Sequence, residues 1–262
     1  MSLAERTTRK YAHLMSKLSN WDLSDIESVM TFLDAQSVFM RRDYLLAIVN
    51  HNPDCKFYRK ILRDFCLAET LSRVKRQMTE GERDNFMTWA EVIAIRECRK
   101  ELKDRSDGDH MIYVLLCLYT MLPPQRGQVY YNCWIDKDVK GANLLDLDGR
   151  RLVVRAYKTM KTYGDIVIEL PDELVKVLIE WKPKCLADGR LLSTSTGRAV
   201  SESSFTHLMY TIFGQKVSTN MIRKIYVTNA LKNEEISIDD RREMARLMGH
   251  SISTQEFMYN KK

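Results

Sequence analysis

The segment Leu247–Tyr259 constrains the fold of this chain most, because a single glycine divides it into two helices. Gly249 follows an amphipathic stretch that begins near Asp239, and a glycine just past a helix tolerates the positive φ that ends it. Ser253 and Glu256 then match a capping box, with serine at the N-cap and glutamate three residues later. The sequence therefore predicts a short helical hairpin with a tight turn at Gly249.

This hairpin carries His250 in its turn and Tyr259 near the end of its second helix. An imidazole can donate a proton or a hydrogen bond, and a phenol can act as a nucleophile toward a phosphodiester. The chain contains 12 tyrosines and 5 histidines, so the pair alone is as compatible with packing and capping as with catalysis. Partners elsewhere in the sequence must decide between the two.

Two arginines upstream supply the positive charge that phosphoryl transfer requires at the non-bridging oxygens. Arg126 follows the proline pair that ends an apolar helix, Met111–Met121. We expect Arg126 in the first turn of a new helix, where a cation opposes the macrodipole. Arg223 lies three residues after Asn220, and we expect both on the helix face opposite a buried apolar stripe. Solvated arginines on a turn and on an amphipathic helix would explain the same pattern.

A lysine-containing loop joins two predicted strands, Arg151–Tyr157 and Asp165–Leu170. This strand–loop–strand pattern is typical of a β-hairpin. Lys158 opens the loop, and we expect it to enter a DNA groove and protonate a leaving hydroxyl, with Lys161 as the nearby alternative. Exposed hairpin tips are commonly rich in lysine, so the loop alone does not decide its role.

The ordered series of arginine, hairpin lysine, second arginine, Gly-His and tyrosine resembles the tyrosine recombinase (phage integrase) family. The resemblance covers roughly residues 80–262 and is most specific between Gly249 and Tyr259. The family's functional residues fall on Arg126, Lys158, Arg223, His250 and Tyr259.

The resemblance implies a mainly α fold with a small antiparallel β-sheet (α+β), built as a helical N-terminal domain and a catalytic domain. It implies a 3′-phosphotyrosyl intermediate, strand exchange through a Holliday junction, and no metal or nucleotide cofactor. The implied partner is double-stranded DNA, bound by a homodimer at each site and a homotetramer in synapsis. The sequence context around Arg126 and Lys158 resembles recombinases of mobile elements and large DNA viruses.

Three positions depart from the family pattern. Asn220 stands where the family usually has a histidine, Val129 where a carboxylate is frequent, and Lys224 where a histidine is frequent. An amide can bind a phosphate oxygen but cannot act as an acid or base. A type IB topoisomerase, a DNA-binding protein that has lost catalysis and a purely structural helical protein therefore stay as alternatives.

Composition sets broader limits. The 262-residue chain has a formal net charge of +6 and a pI of about 8.9, which is compatible with DNA binding without being diagnostic. No apolar run reaches the length of a membrane helix, so we expect no membrane partner. The 6 cysteines are scattered without a CxxC pair, so we expect reduced thiols and no zinc site. Reduced thiols are typical of an intracellular protein, here of the cytoplasm or nucleus.

The first part of the chain contains helical patterns and few strand signals. We predict a helical DNA-binding domain over residues 1–79 and the catalytic domain over 80–262, joined by a polar linker at residues 79–83. A helix over Lys56–Met78 carries a basic face opposite Phe57 and other apolar residues. The predicted DNA contacts are Arg59, Arg63, Arg73 and Arg76 on this face and Asn220, Lys161 and Lys224 in the catalytic domain. A solvated helix face would explain the same basic residues.

Overall fold

The computed structural model of the chain describes residues 3–74, 77–186, 188–194, 196–232 and 236–261. The chain divides into two compact units, residues 1–75 and residues 76–262. Each unit contains buried hydrophobic residues of its own. The fold is mainly helical with one small sheet, which confirms the predicted α+β class.

The first unit consists of four helices around a small apolar core. Their bounds are α1 (Leu3–Lys17), α2 (Ile26–Asp34), α3 (Val38–His51) and α4 (Lys56–Val74). The side chains of Asp25 and Ser37 cap α2 and α3 by accepting backbone N–H bonds, as residues of these types do at N-caps. Leu33, Leu45 and Ile48 are fully buried between the helices.

Helix α4 presents the basic residues of its first half to solvent. Arg59 and Arg63 are exposed, and Arg63 forms a surface ion pair with Asp64. The prediction for Phe57 was wrong, because Phe57 is 39% exposed and the neighbouring Tyr58 packs in the core at 1%. Tyr58 also donates a hydrogen bond to the carbonyl of Leu23, which fixes α4 against the loop before α2. Arg76 and the side chain of Arg73 lie outside the described part of the chain.

The polar segment at residues 79–83, which the sequence predicted as a linker, contains a capped helical turn. The hydroxyl of Thr79 accepts from the Glu82 N–H, and the Glu82 carboxylate accepts from the Thr79 N–H, which is a capping box. This turn is α5 (Glu80–Arg83). Three more helices precede the sheet: α6 (Trp89–Leu102), α7 (Asp107–Met121) and α8 (Gly127–Tyr131).

A four-stranded sheet follows, in the order β1-β2-β3-β4. Its strands are β1 (Cys133–Ile135), β2 (Asn143–Asp146), β3 (Arg151–Val154) and β4 (Ile166–Glu169). The predicted hairpin of β3 and β4 is antiparallel, whereas β1 pairs with β2 in parallel. Strands β1 and β2 were not predicted, because their pairing with each other and with β3 defines them. The hairpin loop contains a one-turn helix, α9 (Met160–Tyr163).

The remaining helices complete the second unit. They are α10 (Asp172–Trp181), α11 (Glu202–Phe213), α12 (Thr219–Ala230), α13 (Ile238–Leu247) and α14 (Ile252–Thr254), with a π-helical turn at Gln255–Tyr259. Most of α7 is buried, and the core of the unit surrounds it. Among the described residues, no helix has both the length and the apolar character that crossing a bilayer requires.

Gly127, the residue after Arg126, allows α8 to pack closely against α11. A Cβ atom at this position would lie 2.8 Å from two ring carbons of the buried Phe205. We therefore expect Gly127→Ala to lower the free energy of unfolding by about 1–3 kcal/mol, the usual cost of overpacking a core. Urea denaturation measures this change.

Gly108→Ala in α7 is the matched control, because the nearest atom to its added Cβ lies at an ordinary 3.7 Å. Alanine favours a helix over glycine by about 1 kcal/mol, so this variant should be as stable as the parent or more stable. Equal stability losses in the two variants would contradict the packing explanation.

Candidate active site

The end of α13 determines where His250 lies. Gly249 has a φ of +64°, which confirms the predicted glycine stop. The N–H of Gly249 donates to the Arg246 carbonyl and the N–H of His250 to the Ala245 carbonyl, both at 3.0 Å, as in a Schellman motif. This motif leaves the carbonyls of the next three residues, 247–249, available to donors from elsewhere.

The second helix of the hairpin begins earlier than predicted. Its N-cap is Ser251, whose hydroxyl accepts from the Thr254 N–H, so the predicted capping box at Ser253 was wrong. The helix continues into the π-helical turn that ends at Tyr259. Tyr259 is only 5% exposed, and its ring stacks on the His250 imidazole with centroids 4.8 Å apart.

Arg223 lies at the centre of the site. The prediction of an exposed helix face was wrong for this residue, because Arg223 is fully buried. Its Nε donates to the Tyr259 hydroxyl at 3.2 Å, and its guanidinium carbon lies 4.9 Å from the centre of the Tyr259 ring. Its remaining hydrogen bonds go to the carbonyls of Pro124 and Met248, both at 2.9 Å, and to Nδ1 of His250 at 2.8 Å.

The contact with Arg223 fixes the proton on His250. A guanidinium can only donate, so Nδ1 of His250 must be the acceptor, and the ring proton is on Nε2. Burial, with the charge of Arg223 second, lowers the pKa of His250 to about 3. In this arrangement the imidazole is neutral at pH 7 and offers an Nε2–H donor.

That donor is buried beside a second polar side chain. Gln255 is fully buried and lies near His250, where its amide raises the pKa of His250 and partly offsets the effect of burial. Within the described residues, however, Nε2 of His250 and both polar atoms of the Gln255 amide have no hydrogen bond of good geometry. Buried donors without acceptors are costly, so an oxygen-rich ligand at this position would be stabilised.

Arg126 is the residue immediately before α8 and has an extended backbone, not the helical one that the sequence predicted. Its half-buried side chain is close enough to Arg223 and His250 for its charge to lower the pKa of both. The buried side-chain amide of the preceding residue, Gln125, donates to the Leu247 carbonyl at 2.8 Å. Gln125 thereby fixes the Arg126 segment to the end of α13.

Lys158 is exposed at the start of the hairpin loop. Its two neighbours both contact the Gly249 turn. The hydroxyl of Thr159 donates to the Gly249 carbonyl at 2.7 Å, and a Cβ at Gly249 would lie 3.0 Å from the Tyr157 ring. The hairpin loop is therefore held beside His250.

The other predicted DNA contacts in this unit differ in accessibility. Asn220 and Lys161 are exposed. Lys224 is half-buried and forms an ion pair with Glu82, so the prediction of a DNA contact does not fit the position of its ammonium group. Burial, and secondarily the charge of Lys261, lowers the pKa of Lys224 to about 8.

Sequence reasoning missed Gln125, Thr159 and Gln255. Each lies one to five residues from a predicted site residue, but nothing in its local pattern distinguishes it from an ordinary loop or helix residue. Among the described residues, no group of three or more His, Cys, Asp and Glu side chains is placed to hold a metal ion.

Comparison with known proteins bears on the fold. No protein-family model matches the chain, and no curated protein matches it. The crystal structure of XerA recombinase is similar, with a TM-score of 0.51 and 17% sequence identity over 100% of this chain and 88% of that one. At this identity the likeness concerns the fold, which is thus similar to that of a recombinase. The mobile-element or viral type stays a prediction.

The burial of neutral His250 predicts a specific loss of stability in acid. Unfolded His250 has an ordinary pKa near 6.5 and takes up a proton that the folded form resists down to about pH 3. Its contribution to stability is complete above pH 6.5 and decreases as the pH falls toward 3, by about 1.4 kcal/mol per pH unit. Urea denaturation between pH 7 and pH 4 measures it.

His250→Gln keeps an acceptor for Arg223 and should reduce this acid dependence. His207→Gln, at an exposed position of α11, should leave it unchanged. His110, which is buried on α7 and has a lowered pKa, contributes equally in all three proteins. An identical pH dependence in the parent and His250→Gln would show that His250 is not held in its neutral form.

Proposed function

We propose that this protein is an enzyme that cleaves and rejoins DNA strands through a covalent bond to Tyr259, as a tyrosine recombinase does. In this proposal the Tyr259 oxygen attacks a phosphodiester and displaces the 5′ oxygen. Arg126 and Arg223 stabilise the charge on the phosphate oxygens, and Lys158 protonates the leaving oxygen. The recombinase-like fold supports the class of reaction only at the level of the fold.

The observation that carries the proposal is a buried cation whose partners are all uncharged. Arg223 donates to a phenol, an imidazole and two backbone carbonyls, and a second guanidinium, that of Arg126, is nearby. Among the described residues no carboxylate pairs with Arg223. Because a buried charge is expensive without a counter-charge, this arrangement is suited to an anion such as a phosphodiester.

The neutral His250 adds a directed donor to this anion site. Its Nε2–H is buried with no acceptor in good hydrogen-bond geometry among the described residues, and a non-bridging phosphate oxygen would provide one. His250 therefore acts as a hydrogen-bond donor in the proposed reaction. A charged imidazolium is not required, because the arginines already supply the positive charge.

Tyr259 must move before it can attack. Its hydroxyl occupies the Nε–H of Arg223, and all but one of the N–H donors of this arginine are used by protein groups. A phosphodiester that binds Arg223 would replace the Tyr259 hydroxyl there. The π-helical turn before Tyr259, a type of turn found frequently at functional sites, lies where this adjustment is needed.

The departures from the family pattern do not remove the proposed chemistry. Exposed Asn220 can donate from its amide to a phosphate oxygen. Val129, a residue of α8, packs in the hydrophobic core, where a carboxylate would be costly. We further propose that Arg59 and Arg63 of the first unit contact the DNA backbone, with a homodimer on each site and a homotetramer in synapsis.

Covalent trapping tests the proposal. Purified protein is incubated with supercoiled plasmid in the presence of chelator, the reaction is stopped with detergent, and protein–DNA adducts are separated on a gel. We expect an adduct with the parent protein and none with Tyr259→Phe, because only the phenolic oxygen can bond to phosphorus. Tyr210→Phe, at a partly exposed tyrosine of α11, is the matched control and should form the adduct normally.

The same gel separates the alternatives. Relaxed plasmid without site preference would favour a type IB topoisomerase over a recombinase. Salt-sensitive DNA binding without any adduct would contradict the proposed chemistry and favour a DNA-binding protein that has lost catalysis. An adduct that persists in Tyr259→Phe would assign the nucleophile to another residue.

A further inference from the structure

We propose that Thr159 is a positioning residue that holds Lys158 beside the reacting phosphate by anchoring the hairpin loop to the Gly249 turn. This inference rests on the proposed function, because it concerns how the leaving oxygen receives its proton. Thr159 itself contacts neither DNA nor the reacting atoms in this account.

The Thr159 hydroxyl binds a partner outside its own helix. Thr159 is the N-cap residue of α9, where a threonine hydroxyl ordinarily accepts a hydrogen bond from the first turn of its own helix. Here it makes no capping bond and instead donates to the Gly249 carbonyl, 90 residues away in the chain, at 2.7 Å. The Thr159 hydroxyl therefore joins the loop to the turn that carries His250.

The rest of the loop supports this contact. The Tyr157 hydroxyl donates to the Gly164 carbonyl at 2.6 Å and closes the loop across its base. The Tyr157 ring packs against Gly249, where any Cβ would lie within 3.0 Å. Lys158 lies between these two anchored residues, and consecutive Cα atoms are only about 3.8 Å apart. The backbone of Lys158 is thus fixed on both sides while its side chain stays exposed.

The same geometry distinguishes Lys158 from Lys161. Lys161 lies on the far side of Thr159, within α9, and is also exposed. Lys158 alone has a neighbour bound to the Gly249 turn on each side. The anchored loop therefore favours Lys158 as the proton donor and makes the Thr159 hydroxyl the group that keeps it in place.

The chemical step defines the test. The Tyr259 oxygen bonds to phosphorus, the bond from phosphorus to the 5′ oxygen breaks, the phenolic proton passes to water, and Lys158 gives a proton to the 5′ oxygen. If sulfur replaces that oxygen, the leaving group departs as a thiolate and needs no proton, because a thiol has a pKa of about 8.5. A defect in proton delivery disappears with sulfur, whereas a general defect of folding or binding does not.

The substrate is a duplex built on the plasmid sequence at which the parent protein forms its adduct. It is prepared with either oxygen or sulfur as the bridging 5′ atom of the scissile phosphate. We expect Thr159→Val to slow adduct formation about 10-fold or more on the oxygen duplex, since a positioned acid contributes about 10²–10⁴-fold. On the sulfur duplex its rate should lie within about 2-fold of the parent rate, and Lys158→Ala should follow the same pattern.

Three controls make the result specific. Thr159→Ser keeps the hydroxyl and should restore the parent rate on oxygen. Thr162→Val alters an exposed threonine of the same helical turn and should leave both rates unchanged. Arg126→Ala should be slow on both duplexes, because its charge acts on the phosphate itself.

Rates of Thr159→Val that are equal to the parent on both duplexes, or equally slow on both, would overturn the positioning role while leaving the proposed function intact. If the parent protein forms no adduct on any plasmid, the proposed function fails and this inference fails with it. The two failures are therefore distinguishable within one set of reactions.

Discussion

Three consecutive carbonyls at the end of α13 hold the candidate site together. Helices leave their last carbonyls without intrahelical partners, and the Gly249 turn satisfies only part of this set. Each of the three that remain receives a donor from a different segment of the chain. The donors are Gln125 to Leu247, Arg223 to Met248 and Thr159 to Gly249, at 2.8, 2.9 and 2.7 Å. The segments of Arg126, Arg223 and Lys158 thus converge on the turn that carries His250.

Arg223 links these carbonyls to the candidate nucleophile, because it donates to both the Met248 carbonyl and the Tyr259 hydroxyl. A buried guanidinium is tolerated only when most of its donors are paired, and here all but one are paired with neutral groups that include the candidate nucleophile. The same contacts that satisfy Arg223 set the tautomer of His250 and hold Tyr259 in its buried position. In the proposed function, stability and catalysis are consequently coupled, because the cation that the fold accommodates without a counter-charge is also the group suited to a phosphate.

The local parts of this structure could be predicted from the sequence, and the long-range parts could not. Periodicity and capping residues identified the helices that contain Met111–Met121 and Arg223 and the helix that ends at Gly249, and the Gly249 stop depends only on its own backbone. The burial of Arg223 was missed because helical spacing assigns a face but cannot tell which face another segment covers. Gln125 and Thr159 bind carbonyls 122 and 90 residues away, so no local pattern contains their partners. The short strands β1 and β2 were missed because their pairing, not their composition, defines them.

The most direct test of the central contact is ¹⁵N NMR of the His250 ring in the labelled full chain, with His250→Gln for assignment. The account predicts a neutral ring from pH 8 to pH 5, with the proton on Nε2 and an unprotonated Nδ1 that accepts a hydrogen bond from Arg223. A ring that titrates near its ordinary pKa, or that carries its proton on Nδ1, would contradict the arrangement on which the proposed site depends.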